Sequence, residues 1–263
     1  MSRYAAMFDR LRRSGEGAFG AFLMLGDPDL PTSARLLAAL VEGGADMIEV
    51  GIPFSDPVAD GPVIQAASQR ALKEGVRVAD CLDLITGFRD RHSDVPVGIL
   101  TYANIVMARG RREFMSSAAK AGADSLLVAD LPALEAEPWV EDMLAASIEP
   151  VLIAAANTPG PTLDRIARLS RAYTYCVSRA GITGVHSAGI FDASLPRRLA
   201  DAGAPPPVFG FGISEPSHVR AALSAGAAGV ISGSAIVRIA DQGPAAVADF
   251  VRTLKDATLQ AFA

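Results

Sequence analysis

The stretch Glu42-Gly-Gly-Ala-Asp46 lies between a run of residues with helical periodicity and the apolar run Asp46–Gly51. The same pattern returns in Lys120-Ala-Gly-Ala-Asp124 and Ser224-Ala-Gly-Ala-Ala228, and in shorter form in Asp201-Ala-Gly-Ala204. A glycine at the end of a helix adopts the left-handed conformation at low cost and turns the chain back. The repeat therefore predicts helices that return, one after another, to neighbouring strands of one sheet.

Eight strand–helix units of this kind are predicted along the chain. The predicted strands are continuously apolar, as strands buried on both faces of a parallel sheet are. They are Phe19–Leu25, Asp46–Gly51, Val97–Thr101, Asp124–Ala129, Pro150–Ala154, Tyr173–Val177, Pro207–Gly212 and Ala228–Ser232. Eight units leave about 33 of the 263 residues for each, close to the ~30 residues of one βαβ step. The pattern predicts an α/β fold of one domain, residues 1–263, in which a closed (β/α)8 TIM barrel is favoured over an open doubly wound sheet.

Composition limits the classes of function. Half of the residues are hydrophobic, yet no stretch approaches the ~18 uninterrupted apolar residues of a membrane span. The formal net charge of −5 argues against nucleic-acid binding through a basic face. Cys81 and Cys176 lie far apart, which favours two buried free thiols in a reducing cytoplasm. The charged start of the chain lacks the apolar core of a signal peptide and predicts a short amphipathic helix instead.

Two carboxylates belong to the second predicted strand and the loop after it. Glu49 ends the strand in the stretch EVGIPFSDPVADGP, residues 49–62. Because burial raises the pKa of a carboxyl group, Glu49 is suited to proton transfer, unless backbone donors merely satisfy it at the strand end. Asp60 follows on a loop that prolines stiffen and that can fold back to the same pocket. For Asp56 and Asp60 the alternative is turn or helix-cap chemistry before a helix near Pro62.

Glycine-bearing loops follow the last three predicted strands, at Ser178–Gly184, Gly210–Ser214 and Ser232–Ala235. Glycines let backbone N–H groups approach a phosphate, and helix N-termini add a favourable partial positive charge. Barrels commonly bind phosphate after strands seven and eight, although plain tight turns would show the same glycines. None of the three lysines ends a predicted strand, and the three histidines lack metal-ligand spacing. The sequence therefore predicts metal-free, cofactor-free acid–base catalysis on a phosphorylated substrate.

Six motifs give the chain a resemblance to the tryptophan synthase α subunit family. They are Leu25–Asp29, Glu49–Pro62, Val128–Pro132, Tyr173–Gly184, Gly210–Ser214 and Ala228–Val237. The block EVGIPFSDP, which opens at Glu49, is specific to this family rather than to barrels in general. The resemblance implies a lyase that cleaves indole-3-glycerol phosphate to indole and glyceraldehyde 3-phosphate in the cytoplasm. It also implies an α2β2 complex, in which indole passes to a β subunit that holds pyridoxal phosphate and makes L-tryptophan; no cofactor is expected in this chain.

The resemblance carries roles to individual residues. It assigns Glu49 as the general acid and base, and Asp60 as the anion that stabilises the indole N–H. The residues expected to contact the substrate are Phe22, Leu100, Leu127, Ala129, Tyr175 and Thr183, although core packing is the alternative for the four apolar ones. The residues expected around the phosphate are Gly184, Gly212, Gly233 and Ser234. Asp56 and Thr183 resemble a pair that ties a loop over the bound substrate.

Near the β subunit the resemblance places the loop of residues 53–62, Tyr102, Asn104 and the turn that contains Pro132. Ile105, Val106 and Met107 are expected to add an apolar patch at this rim. One departure lies in the fifth predicted strand, where Ala154–Ala156 replaces a segment in which the family commonly has prolines. The remaining alternatives are a barrel that mainly activates its partner, a stand-alone indole-producing lyase, and another phosphate-binding barrel such as an isomerase. The last of these would not require the carboxylate loop after the second strand.

Overall fold

A computed structural model describes residues 1–177 and 191–259 of the chain. Thr183 and Gly184, both predicted to be site residues, lie outside the described residues. The strands in this part of the chain are β1 (Ala18–Met24), β2 (Met47–Gly51), β3 (Val97–Thr101), β4 (Ser125–Val128), β5 (Glu149–Pro150), β6 (Leu152–Ala155), β7 (Thr174–Val177), β8 (Pro207–Phe209) and β9 (Gly229–Ser232).

The α-helices of the described residues cover the outside of the sheet and one of its ends. They are α1 (Arg3–Ser14), α2 (Leu30–Glu42), α3 (Pro62–Lys73), α4 (Val78–Arg89), α5 (Ala103–Met107), α6 (Arg111–Ala121), α7 (Glu137–Ala145), α8 (Gly160–Leu169), α9 (Ser194–Asp201), α10 (Pro216–Ser224), α11 (Ser234–Ala240) and α12 (Pro244–Asp256). A short 3-10 helix, Ala133–Glu135, precedes α7. Within residues 1–177 and 191–259, no helix is long and apolar enough to cross a membrane.

The described strands belong to one parallel sheet in the order β5-β4-β3-β2-β1-β9-β8-β7-β6. The two strands at the ends of this order, β5 and β6, follow each other in the chain and are separated only by Val151. They are therefore two halves of one barrel strand, and the sheet curls into a nearly closed barrel with eight strand positions. This confirms the predicted (β/α)8 barrel over the open doubly wound sheet.

The glycine repeat turns the chain as predicted. Gly44, Gly122, Gly203 and Gly226 have φ angles of 94°, 96°, 69° and 97°, in the region that L-residues with a Cβ rarely adopt. Each follows a helix and precedes a strand. At Gly122, which caps α6, the backbone N–H bonds to carbonyls of the last helical turn. The repeat is therefore the local device that returns α2, α6, α9 and α10 to the sheet.

Two apolar clusters fill the molecule, one between the sheet and the outer helices and one inside the barrel. Helix α1 contributes Tyr4, Met7 and Leu11 to the inner cluster, as its predicted amphipathic face requires. The Tyr4 hydroxyl lies 2.9 Å from that of Ser125, the first residue of β4. Helix α1 thus covers the amino-terminal end of the barrel, and the opposite end is left for the site.

Candidate active site

A cavity opens at the carboxyl-terminal ends of the strands, where a barrel of parallel strands places its active site. Its wall includes eight of the predicted site residues: Phe22, Glu49, Asp60, Leu100, Tyr175, Gly212, Gly233 and Ser234. The remaining lining residues are Ile64, Gly210, Phe211, Ile213 and Ile231. Residues from several separate segments of the chain therefore converge on one space.

Glu49 lies in the middle of β2 rather than at its predicted end, because the ladders with β1 and β3 continue to Gly51; its register partners are Phe22 and Gly98. Its side chain is only 3% exposed, and the Tyr173 hydroxyl donates a hydrogen bond of 3.1 Å to its Oε1. Burial raises the pKa of Glu49 to about 8, the negative charge of Asp60 acts in the same direction, and the Tyr173 bond lowers it. A carboxyl group with this pKa can give up and take back a proton at neutral pH.

Asp60 is held beside the same cavity by a folded-back loop. The Tyr102 hydroxyl donates a bond of 2.8 Å to Asp60 Oδ2 and accepts one of 3.1 Å from the Ala59 N–H. The ring of Tyr102 stacks on Phe54 with centroids 5.2 Å apart, and Gln65 Nε2 donates to the Asp60 carbonyl at 2.8 Å. Burial raises the pKa of Asp60, while the Tyr102 bond opposes this rise and favours the ionised form.

Tyr175 closes the opposite side of the cavity. Its hydroxyl donates a 3.2 Å bond to the Gly210 carbonyl, and its ring meets Phe211 edge-on at 6.1 Å. A Cβ atom built on Gly210 would lie 2.0 Å from the Tyr175 hydroxyl oxygen, so a side chain at position 210 would displace Tyr175. The sequence alone predicts that the motif Gly210–Ser214 is a phosphate loop. This prediction does not include the packing of the first glycine against Tyr175.

The loops after β8 and β9 form the remaining side of the site. Gly212 has a φ of 75°, and Gly233 immediately precedes α11, which starts at Ser234. The Ser232 hydroxyl donates a 2.8 Å bond to the Ile213 carbonyl and ties the two loops together. The first N–H groups of a helix have no partners within the helix, so those at the start of α11 are available at the cavity.

Several predicted residues lie elsewhere. Leu127 packs in the inner cluster with Phe22 and Tyr175 but does not line the cavity, and Ala129 lines a different cavity. For these two residues the packing alternative describes the geometry better. Asp56 is exposed, and its carboxylate accepts a bond of 2.6 Å from the Ser55 hydroxyl, in agreement with turn chemistry. Its expected partner, Thr183, lies outside the described residues.

The residues assigned to a partner surface divide into two groups. Tyr102 is 2% exposed and serves the site through Asp60, whereas Asn104 and Pro132 are exposed at the rim. The expected apolar patch is wrong for Val106, which is fully buried in the outer cluster because it packs α5 onto the barrel. Met107, which belongs to the expected patch, is 54% exposed, and Val58 and Leu134 add apolar surface near this rim, at 72% and 64%.

The sequence interpretation gave no role to Tyr173, which bonds to Glu49. The sequence does contain a signal for this role: Tyr173 lies two residues before Tyr175 in the motif Tyr173–Gly184 and therefore on the same face of the strand. Among residues 1–177 and 191–259, no group of three or more His, Cys, Asp or Glu side chains could hold a metal ion. The arrangement consists of two buried carboxyl groups, each hydrogen-bonded by a tyrosine, above an apolar pocket.

Residues 8–261 match the family model described as the tryptophan synthase alpha chain. The chain belongs to the tryptophan synthase alpha chain family. Tryptophan synthase alpha chains of Shewanella oneidensis and Escherichia coli are each 45% identical to it, over 98% of this chain and 95% and 99% of theirs. The solved Mycobacterium tuberculosis tryptophan synthase has a chain that superposes with a TM-score of 0.90 at 31% identity, covering 98% of both chains. Tryptophan synthase subunit alpha of Legionella pneumophila gives 0.87 at 28% identity, again over 98% of both.

Proposed function

We propose that the chain is the α subunit of a tryptophan synthase and that it cleaves indole-3-glycerol phosphate to indole and glyceraldehyde 3-phosphate. The observation that carries this proposal is the pairing of two buried carboxyl groups, Glu49 and Asp60, across one cavity of a tryptophan synthase alpha chain barrel. The reaction is a retro-aldol cleavage. It needs a proton on the indole ring before the carbon–carbon bond can break, and a base for the glycerol hydroxyl as it breaks.

Glu49 supplies both proton transfers. With a pKa of about 8, its carboxyl group is largely protonated at neutral pH and donates that proton to C3 of the indole ring. The resulting carboxylate takes the proton of the hydroxyl group on the adjacent glycerol carbon. The electrons of the breaking carbon–carbon bond return to the ring as the aldehyde forms, so Glu49 ends the cycle protonated. Tyr173, at 3.1 Å, fixes the orientation of the carboxyl group in both states.

Asp60 stabilises the positive charge that develops on the ring. Its carboxylate, kept in place by Tyr102, accepts the hydrogen bond of the indole N–H while C3 is protonated. Phe22, Leu100 and Tyr175 provide the walls around the planar ring. A buried anion placed opposite a developing cation is worth more in this water-poor site than it would be in water.

The phosphate group lies at the loops after β8 and β9 in this proposal. Gly212, Gly233 and Ser234 line the cavity on that side, and the start of α11 offers backbone donors. The family motif alone supports the proposed roles of Gly184 and of the pair Thr183 and Asp56. They would complete the phosphate site and hold a loop over the substrate.

The β subunit binds the rim that carries Val58, Met107 and Leu134. These exposed apolar residues follow β2, β3 and β4, which are neighbours in the barrel, so they share one side of its carboxyl-terminal end. Asn104 and Pro132 are exposed on the same side, with the buried Tyr102 beneath them. From the family resemblance the proposal also includes an α2β2 complex in the cytoplasm, with pyridoxal phosphate in the β subunit and no cofactor in this chain.

The test is to incubate the purified chain with indole-3-glycerol phosphate and to measure indole and glyceraldehyde 3-phosphate. We expect the two products in equal amounts, and faster cleavage when a tryptophan synthase β subunit is added. Failure to cleave with and without the β subunit would contradict the proposed reaction. Rapid cleavage that the β subunit does not change would instead support a stand-alone lyase and contradict the role as a subunit.

A further inference from the structure

The barrel wall has a seam between β4 and β6. Backbone pairing between β4 and the fifth barrel strand ends with the 3.1 Å bond from the Val151 N–H to the Leu126 carbonyl. Beyond this point the described ladders pair Leu127 and Val128 with β3, and pair β6 with β7. The carboxyl-terminal halves of β4 and β6 are therefore adjacent without a shared ladder.

A cavity of about 270 Å³ lies at this seam and is called here the seam cavity. Val128 and Ala129 line it from the β4 side, and Val151, Leu152 and Ile153 line it from the other side. Helices α7 and α8 close it from outside. Among the described residues that line it, two threonines are the polar side chains and none is charged. The space is therefore suited to an uncharged, mostly apolar molecule.

The seam cavity reaches both sides of the barrel wall. Ala129, Val151 and Ile153 belong to or pack against the inner apolar cluster, which also contains the active-site residues Phe22 and Tyr175. Leu152 and Val140 belong to the outer cluster. Residues of the inner cluster, or packed against it, therefore line both this cavity and the active site. The lining also includes Leu131 and the exposed Pro132, at the rim where the β subunit is proposed to bind.

We propose that the seam cavity is a second binding site for indole, the apolar product of the active site; this inference rests on the proposed function. A closed apolar cavity of about 150 Å³ binds benzene, so about 270 Å³ leaves room for the additional fused ring of indole. The single N–H of indole needs one acceptor, and the two threonine hydroxyls are suitable. Thr158 Oγ1 already accepts the Ala155 N–H at 2.9 Å and retains a second acceptor position. The described lining residues include none of the glycines or serines that line the phosphate side of the active site, so the seam cavity is assigned to indole rather than to indole-3-glycerol phosphate.

The test uses 5-fluoroindole as the probe and fluorine NMR as the readout on the whole chain. We expect two bound resonances in the chain alone. A non-cleavable indolylalkyl phosphate, which occupies the active site, should displace one resonance and leave the other. In Ala133→Leu, which adds three carbons at a cavity-lining position, the phosphate-resistant resonance should disappear. The matched control Ala145→Leu adds the same atoms at an exposed position of α7 and should keep both resonances.

A single resonance that the phosphate displaces would overturn the inference, and so would a resistant resonance that persists in Ala133→Leu. Retained cleavage of indole-3-glycerol phosphate by Ala133→Leu shows that this variant is folded. If Ala133→Leu fails to fold, Val140→Phe fills the same cavity from α7 and replaces it in the test. If the chain has no second indole site, the parent chain still cleaves indole-3-glycerol phosphate. Failure of this inference and failure of the proposed function therefore give different results.

Discussion

Replacing Glu49 with Gln should stabilise the folded chain, and the gain should increase with pH. The folded chain holds the Glu49 proton with a pKa of about 8, against 4.5 for the usual glutamate. Between these values the folded state binds one more proton than the unfolded state, so its stability falls as pH rises. The contribution of this bound proton to the stability of the fold is complete below pH 4.5 and is lost as pH rises through about 8.

The magnitude follows from the interval of about 3.5 pH units between the two pKa values, at about 1.4 kcal/mol for each. The full destabilisation of the ionised form is therefore about 5 kcal/mol, of which about 3 kcal/mol accumulates between pH 6 and pH 9. The side-chain amide introduced by Glu49→Gln would keep the Tyr173 bond and has no proton to lose, so this loss would be absent from the variant.

Urea unfolding of the parent chain and of Glu49→Gln at several pH values measures the difference. We expect the midpoint of the variant to exceed that of the parent increasingly from pH 6 to pH 9. Glu42→Gln, at an exposed position of α2, is the matched control and should follow the parent at every pH. A difference in unfolding midpoint between Glu49→Gln and the parent that stays constant over this range would refute the claim that the folded chain buries Glu49 and retains its proton.

Three further outcomes are expected. Tyr102→Phe removes the 2.8 Å hydrogen bond to Asp60. Because a hydrogen bond to a charged group is worth about 1.5–3 kcal/mol, steady-state cleavage of indole-3-glycerol phosphate should slow by about 10- to 100-fold. The circular dichroism spectrum should be unchanged. Gly210→Ala should abolish cleavage by displacing Tyr175. Gly87→Ala is the control, because the added Cβ inside α4 meets nothing within 4 Å. This control should preserve cleavage and raise the free energy of unfolding by about 0.5–1 kcal/mol. Burial raises the pKa of both cysteine thiols to about 12, so a thiol reagent at pH 8 should label neither in the native chain and both in denaturant; labelling of the native chain would contradict their burial.

The barrel could be predicted because each of its units follows a local rule. Apolar runs of strand length and the glycines at 44, 122, 203 and 226 set the alternation of strands and returning helices. The break at Val151 was not predictable, since Leu152–Ala155 is as apolar as its neighbours and nothing local distinguishes a paired edge from an open one. The seam is a property of the closed sheet, in which the last pairing has to accommodate the accumulated twist.

The carboxyl group of Glu49 stands out in sequence because it interrupts an apolar strand, and that of Asp60 because it lies on the proline-stiffened loop after this strand. The tyrosines that control them were less visible. Tyr173 and Tyr102 reach Glu49 and Asp60 across 124 and 42 residues of chain, so the contacts exist only once the barrel closes. Gly210 stands out in sequence as a glycine of the loop Gly210–Ser214, but its crowding by Tyr175 depends on an inter-strand distance that no spacing in the sequence encodes.

The most direct test of the central claim is cleavage of indole-3-glycerol phosphate by Glu49→Gln in complex with the β subunit. The account predicts that cleavage falls at least about 100-fold, the usual contribution of a positioned general acid–base, while the complex still forms. Cleavage within about tenfold of the parent complex, well short of that contribution, would contradict the assignment of Glu49 as the group that moves the proton.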